Sequence, residues 1–146
     1  MKGYNTSGGG SMKKVLYPFL ILILSTNICY ADYNKDIKDL ELLQNRIDIL
    51  YSLLAKNIHK NNIDNELRFI HGEVDHMRNT LNNNSQSAKD LNERVKYLSA
   101  MTILNYFEIA TLLGTRYYQE GEDVSDLKGG MASFYEGKEK LDTLMN

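Results

Sequence analysis

Apolar residues recur at intervals of three and four along most of the chain, which is the spacing of one helix face. In a first segment, from about Asn34 to Asn57, the repeating positions are Leu40, Leu43, Ile47, Leu50 and Leu54. In a second segment they are Ile63, Leu67, Ile70, Val74, Met77 and Leu81. The strict alternation of four and three in the second segment is typical of coiled-coil seams. Both segments predict amphipathic helices.

The third segment differs because it becomes apolar on nearly every side. A turn at Asn82-Asn83-Asn84 is predicted before it, with Ser85 or Ser87 as the helix cap. The predicted stripe of this helix begins with Leu91, Val95 and Leu98.

Glu108 is the only charged residue between positions 100 and 114. A helix that is apolar all round is either buried or flanked by several partners. Its predicted end lies at Gly114 or Gly121, since glycine commonly follows the last helical turn.

The predicted fourth helix is rich in glycine. Its apolar stripe consists of Val124, Leu127, Met131, Phe134, Leu141 and Met145, interrupted by Lys138. Gly129, Gly130 and Gly137 each cost about 1 kcal/mol relative to alanine in a helix interior. We therefore expect this helix to be the weakest and to be completed by a partner. Alternatively, Gly129-Gly130 divides two short helices.

Four amphipathic segments joined by short polar turns predict an all-α fold, an antiparallel bundle of about four helices. The chain contains one proline, Pro18, and no segment of strict apolar alternation, in keeping with this class. The alternative architecture is an extended helical hairpin that forms a bundle only with a partner.

The N-terminal segment has the three parts of a secretory signal peptide. Lys13 and Lys14 precede the apolar run from Val15 to Leu24, and small residues stand near Ala31. Ten apolar residues are too few to span a bilayer, which takes about 20. Residues 12–31 are therefore predicted to be removed and the chain to be periplasmic or secreted. The alternative is an uncleaved signal that anchors the chain in a membrane.

Residues 1–11 precede the signal and are interpreted as an expression scar or an upstream start assigned too early. Residues 32–146 remain as one α-helical domain. Three lysines precede residue 32, so the remaining chain holds 14 of the 17 basic residues against all 19 acidic ones. This balance argues against nucleic acid and against anionic membrane surfaces. The only cysteine, Cys29, lies in the signal, so no disulfide is expected.

Two acidic positions raise the question of chemistry. Glu73 and His76 have the Glu-x-x-His spacing of two-iron helical bundles, but only one copy is present. Val74 and Met77 occupy the seam, so the Glu73/His76 pair is expected to point outward. Glu108 lies on an apolar face, where a carboxylate has either a raised pKa or a charged partner. No catalytic motif is found, and no enzyme activity or cofactor is predicted.

Aromatic and small residues in the last third of the chain suggest a binding surface. Tyrosine is favoured at interfaces because it is rigid and amphipathic. A row of small residues at every fourth position, from Gly121 to Gly137, is expected on the outer face of the fourth helix. The candidate partner-binding residues are Tyr117, Tyr118, Gly129, Ser133, Tyr135 and Gly137.

These features predict an exported, non-enzymatic helical protein that binds another protein or itself. An envelope-machinery subunit, an inhibitor and an immunity protein are examples of this class. The alternative is a small periplasmic bundle that carries a metal or haem.

Overall fold

The computed structural model describes residues 32–56, 60–121 and 123–146. Within these ranges it contains four α-helices and no strand. The helices are α1 (Tyr33–Lys56), α2 (Lys60–Ser87), α3 (Leu91–Glu120) and α4 (Val124–Met145). The extension assigned to residues 1–11 and the signal assigned to residues 12–31 lie outside the described residues.

The helices form a bundle in which α1 and α3 occupy the centre. Each of these two helices packs against the other three, whereas α2 and α4 do not meet within the described ranges. Helices consecutive in sequence run in opposite directions: near its start α1 meets the end of α2, through Asp36 and Asn84, and further along Arg46 meets Glu66.

The central helices α1 and α3 run in the same direction, since Tyr33 lies near Tyr97 and Tyr51 bonds to Ala110. The prediction of an all-α bundle of about four helices is confirmed.

The stripes predicted for α1 and α2 form one half of the core. All eleven of their apolar residues are at most 4% exposed. The bounds of α1 agree with the sequence prediction to within a residue. Strict periodicity decides the buried face in these two helices because each has only one apolar stripe.

The predicted turn at residues 82–84 is wrong, because α2 continues to Ser87. Asn84 faces inward and its amide nitrogen donates to a carboxylate oxygen of Asp36 at 2.7 Å. Ser85 is also buried, at 6% exposure. The asparagine run by itself favours a turn. The hydrogen bond to Asp36 on α1 therefore keeps it helical.

Asp90, not Ser85 or Ser87, caps the start of α3. Its carboxylate accepts from the backbone N–H of Glu93 at 2.8 Å, and the Glu93 carboxylate accepts from the Lys89 N–H at 2.7 Å. These two bonds satisfy backbone donors at the helix start, much as a capping box does.

Gly121, one of the two glycines predicted to end the third helix, terminates α3. Its φ of 120° suits glycine, and its N–H donates to the carbonyl of Tyr117. Gly114, the other candidate, is buried inside the helix, where Leu54 and Tyr51 of α1 approach it.

The α4 helix is continuous across Gly129 and Gly130, so the predicted division into two helices is wrong. Only Phe134 and Leu141 of its predicted stripe are buried. The other buried positions are Asp126, Gly130 and Gly137.

Two of these glycines make room for aromatic rings. A Cβ on Gly130 would lie 2.9 Å from Cζ of Tyr51, whose hydroxyl donates to the carbonyl of Ala110 at 2.7 Å. A Cβ on Gly137 would lie 2.8 Å from Cε1 of Phe107. Glycine thus lets α4 approach rings from α1 and α3.

Candidate functional site

Helix α3 carries two apolar stripes on opposite faces. The inner stripe is buried and consists of Tyr97, Ala100, Ile103, Leu104, Phe107, Ala110, Thr111 and Gly114. The outer stripe is exposed and consists of Leu91, Val95, Leu98, Thr102, Asn105, Ile109 and Leu112. The two stripes account for the apolar character of this helix on nearly every side.

The outer stripe follows the spacing of a coiled-coil seam without interruption. Its seven positions alternate in steps of four and three, beginning at Leu91 and ending at Leu112. Leu98 is 46% exposed, Ile109 45% and Leu112 49%, so no described helix covers them. The seam is therefore complete in its spacing but has no partner helix among the described residues.

No outer-stripe position is charged, and the ionic groups nearby are turned to its sides. Glu108 forms an ion pair with Arg78 of α2, and Lys96 lies 5.7 Å from the ring centre of Tyr33 on α1. Arg116, one step beyond the stripe, lies 3.4 Å from the carboxylate of Asp126. Arg94 is exposed beside Leu91 and Leu98, so the absence of charge applies to the seven stripe positions and not to all of their neighbours.

The stripe is about as large as the largest apolar patch on a typical monomer, which is often functional. Twenty-two residues of helix extend about 33 Å, and a helix is ~10 Å across, so the face covers roughly 330 Å². Exposed patches of a few hundred Å² commonly mark binding sites on monomeric proteins. Thr102 and Asn105 lie in the middle of the stripe, and the Thr102 hydroxyl donates to the Leu98 carbonyl at 3.0 Å.

Sequence reasoning missed this site because it took Leu91, Val95 and Leu98 as the start of the helix's apolar stripe and did not follow their spacing beyond residue 100. All three are exposed, Leu91 to 75%. The available signal was the continuation of their spacing through Thr102 to Leu112. Periodicity alone could not say which of the two α3 stripes faces inward, and α1 and α4 settle it by packing on the other one.

The sequence predicted either a raised pKa or a charged partner for Glu108, and the structure shows a charged partner. Its carboxylate pairs with the guanidinium of Arg78, and both side chains remain partly exposed. This arrangement is an ion pair between α2 and α3 at the edge of the outer stripe. It is not a buried acid.

The candidate tyrosines do not form one surface patch. Tyr117 and Tyr118 are half-buried near the end of α3. Burial, and then the carboxylate of Asp64, raise the pKa of Tyr118. Tyr135 is 56% exposed on α4, and its ring centre lies 5.4 Å from that of Phe134.

The predicted outer row of small residues on α4 is wrong at Gly137, which is buried against Phe107. Gly129 and Ser133 are half-buried, and a Cβ on Gly129 would lie 3.3 Å from Leu113 of α3. Gly129 and Gly137 therefore line the contact between α3 and α4. The close approach that glycine permits occurs inside the molecule.

The outward orientation predicted for the Glu73/His76 pair agrees with the packing of α2. Val74 and Met77 are buried, whereas His76 is exposed and Glu73 is half-buried. Across residues 32–56, 60–121 and 123–146, no three histidine, cysteine or acidic side chains lie close enough to hold a metal ion.

A buried carboxylate lies at the opposite end of the bundle from the α3–α4 turn. Asp36 is 5% exposed and receives its hydrogen bond from Asn84. Burial raises the pKa of Asp36, and the Asn84 hydrogen bond opposes that rise in part. The Asn84 amide thus gives the Asp36 carboxylate one hydrogen-bond partner across the contact between α1 and α2.

No helix among the described residues combines the length and hydropathy needed to cross a membrane. No family model, curated protein or solved structure matches this chain. The argument for function therefore depends on the chain's own residues.

Proposed function

We propose that this chain is an exported, non-enzymatic helical protein that binds another protein through the outer stripe of α3. The observation that carries the proposal is the uninterrupted, uncharged seam from Leu91 to Leu112, exposed along its whole length. Burying apolar surface favours association by about 25 cal/mol per Å² removed from water. A seam of this kind is the face that a helix of a partner covers.

The proposal of export depends on the signal-like residues 12–31, and that of binding depends on the outer stripe. The two parts are separable. An envelope-machinery subunit, an inhibitor and an immunity protein all fit an exported bundle that acts by contact. Distinguishing among them requires the identity of the partner.

Site-specific photo-crosslinking in the native host tests the binding part. A photoreactive residue at Ile109, in the stripe, is compared with one at Ile49, an equally exposed isoleucine of α1 (45% and 47%). We expect a discrete crosslinked adduct at Ile109 and none at Ile49. Mass spectrometry identifies the protein that is crosslinked at Ile109. Equal labelling at both positions, or none at Ile109, would contradict the proposal.

Mass spectrometry of the exported protein tests the export part. We expect the N-terminal peptide to begin at Asp32. Peptides that contain Lys13 or Val15 in the mature species would show that the signal is retained, which favours a membrane anchor.

A further inference from the structure

We infer that the occupant of the outer stripe is a second copy of this chain, docked with its α3 antiparallel to the first. This inference rests on the proposed binding role of the stripe and names its partner. The reasons are the order of residue types along the stripe, the absence of charge at its seven positions and its length.

The stripe is symmetric in residue type about a point between Ile103 and Leu104. When α3 is paired with a reversed copy about that point, Thr102 faces Asn105 of the second copy. Leu98 then faces Ile109 of the second copy, and Val95 faces Leu112. Every apolar position except Leu91 meets an apolar one and the two polar positions meet each other, so the stripe from Val95 to Leu112 complements itself.

The central polar pair sets this register. A polar residue inside an apolar seam commonly fixes the alignment of two helices. A shift of one heptad in either direction would place Asn105 against Val95 or against Ile109 of the second copy. Its amide would then be buried without a hydrogen-bond partner, which is unfavourable.

The charge at the end of the stripe favours the antiparallel direction. In a parallel pair, Arg116 of one copy would face Arg116 of the other. In the antiparallel pair it faces Leu91 at the edge of the contact, where its guanidinium keeps Asp126 as a neighbour. Because the pairing is two-fold and isologous, it closes at a dimer and leaves no open stripe.

The area of the contact sets the expected strength. The overlap from Leu91 to Arg116 extends about 39 Å and is ~10 Å wide, so roughly 390 Å² of each copy is covered. Standard complexes cover ~800 Å² of each partner. We therefore expect a concentration-dependent dimer, monomeric at nanomolar and dimeric at about 100 µM concentration.

Charge exchange across the proposed contact tests both the partner and the direction. Leu98→Lys and Ile109→Glu are made singly and together in one chain, with Ile49→Glu as the matched control. The mass in solution is measured by sedimentation equilibrium on the purified protein. Circular dichroism of each variant confirms folding, and Asn105→Lys, at an exposed polar position of the stripe, serves as a further disrupting variant.

We expect the wild type and Ile49→Glu to have the same dimer dissociation constant. Each single stripe variant should raise that constant at least tenfold. The double variant should recover most of the loss, because each introduced lysine then faces an introduced glutamate of the second copy. No recovery in the double variant would overturn the antiparallel pairing.

A monomeric wild type at about 100 µM would overturn the inference altogether. The proposed function is judged separately, by the crosslinking at Ile109. An adduct there with a different protein supports a binding role and excludes the second copy as the occupant. The absence of any adduct at Ile109 counts against both.

Discussion

The two faces of α3 use similar apolar residues and have opposite surroundings. On the inner face Ile103 and Leu104 are at most 2% exposed, whereas on the outer face Ile109 and Leu112 are almost half exposed. The inner face is covered by α1, α2 and α4, and no described helix covers the outer one. A helical stripe therefore indicates that a contact exists, and not whether the contact lies within the chain.

The two faces also differ in the sizes of their side chains. The inner face alternates very large residues with very small ones, such as Phe107 with Ala110 and Tyr97 with Ala100. Gly137 on α4 receives the Phe107 ring, and the Tyr97 ring packs edge-on against Tyr33 of α1. The outer face has only medium-sized aliphatic and short polar residues. The inner face is thus shaped for one set of neighbours, whereas the outer face suits the even layers of a helix pair.

The largest expected contrast is between two leucines of α3. Leu104→Ala should lower the free energy of unfolding by about 2–5 kcal/mol because it leaves a cavity in the core. Leu112→Ala should change it by less than ~0.5 kcal/mol when the protein is monomeric. Denaturant unfolding at low protein concentration measures both. A loss of several kcal/mol at Leu112 would show that this residue is covered within the chain.

The adjacent glycines of α4 provide a second contrast. Gly130→Ala should displace the Tyr51 hydroxyl from the Ala110 carbonyl and cost about 1–3 kcal/mol, because a buried hydrogen bond is lost. Gly129→Ala meets only the flexible end of Leu113 and should be neutral or stabilising by up to ~1 kcal/mol. Thermal unfolding of the two variants is the measurement. The account of α4 packing is wrong if Gly130→Ala is the more stable of the two.

A pH series examines the buried carboxylate of α1. The pKa of Asp36 is raised in the folded protein above its ordinary 3.8, so its ionised form is less favourable there than in the unfolded chain. Folded stability should fall as pH rises from 3.8 through the folded pKa, and the penalty is complete above it. Asp36→Asn should therefore be stabilising at neutral pH, by an amount that shrinks as pH is lowered.

The control for that series is Asp48→Asn, which removes an exposed carboxylate from the same helix. The difference in unfolding free energy between each variant and the wild type is compared at each pH. A stability difference for Asp36→Asn that is independent of pH would contradict the assignment of Asp36 as a buried, titrating group.

The smallest expected effect concerns the ion pair beside the outer stripe. Glu108→Gln removes its charge opposite Arg78 while keeping the side-chain shape. Both side chains are partly exposed, so the loss should be below ~1 kcal/mol and should shrink with added salt. Chemical denaturation at low and high ionic strength provides the test. A loss that is large and independent of salt would mean that Glu108 is part of the core.

Much of the fold could be predicted because α1 and α2 each have a single apolar stripe. Helix α3 could not be oriented in this way, since its two stripes have the same period and the choice depends on the other helices. Helix α4 was misjudged for a related reason. A glycine pattern reports where the backbone is approached closely, and Tyr51 and Phe107 approach it from distant positions in the sequence.

The helix ends also differ in whether their cause is local in the sequence or lies in a distant residue. Gly121 ends α3 through its own backbone conformation, which depends on the residue type alone. The asparagine run at residues 82–84 is helical because Asn84 bonds to Asp36, forty-eight residues earlier. The candidate site also depends on distant residues, because the outer stripe is exposed only where no other described helix covers it.

The central claim is that the outer stripe of α3 holds a second, antiparallel copy. Pulsed dipolar spectroscopy measures this geometry directly, with one spin label on a cysteine at Gln119 and Cys29 replaced by serine. Antiparallel pairing about the point between Ile103 and Leu104 places the two labels about 46 Å apart along the helices. The same label combined with Ile109→Glu should lose the signal. A label separation near ~10 Å would indicate parallel helices, and no dipolar signal at about 100 µM protein would mean that the stripe does not bind a second copy.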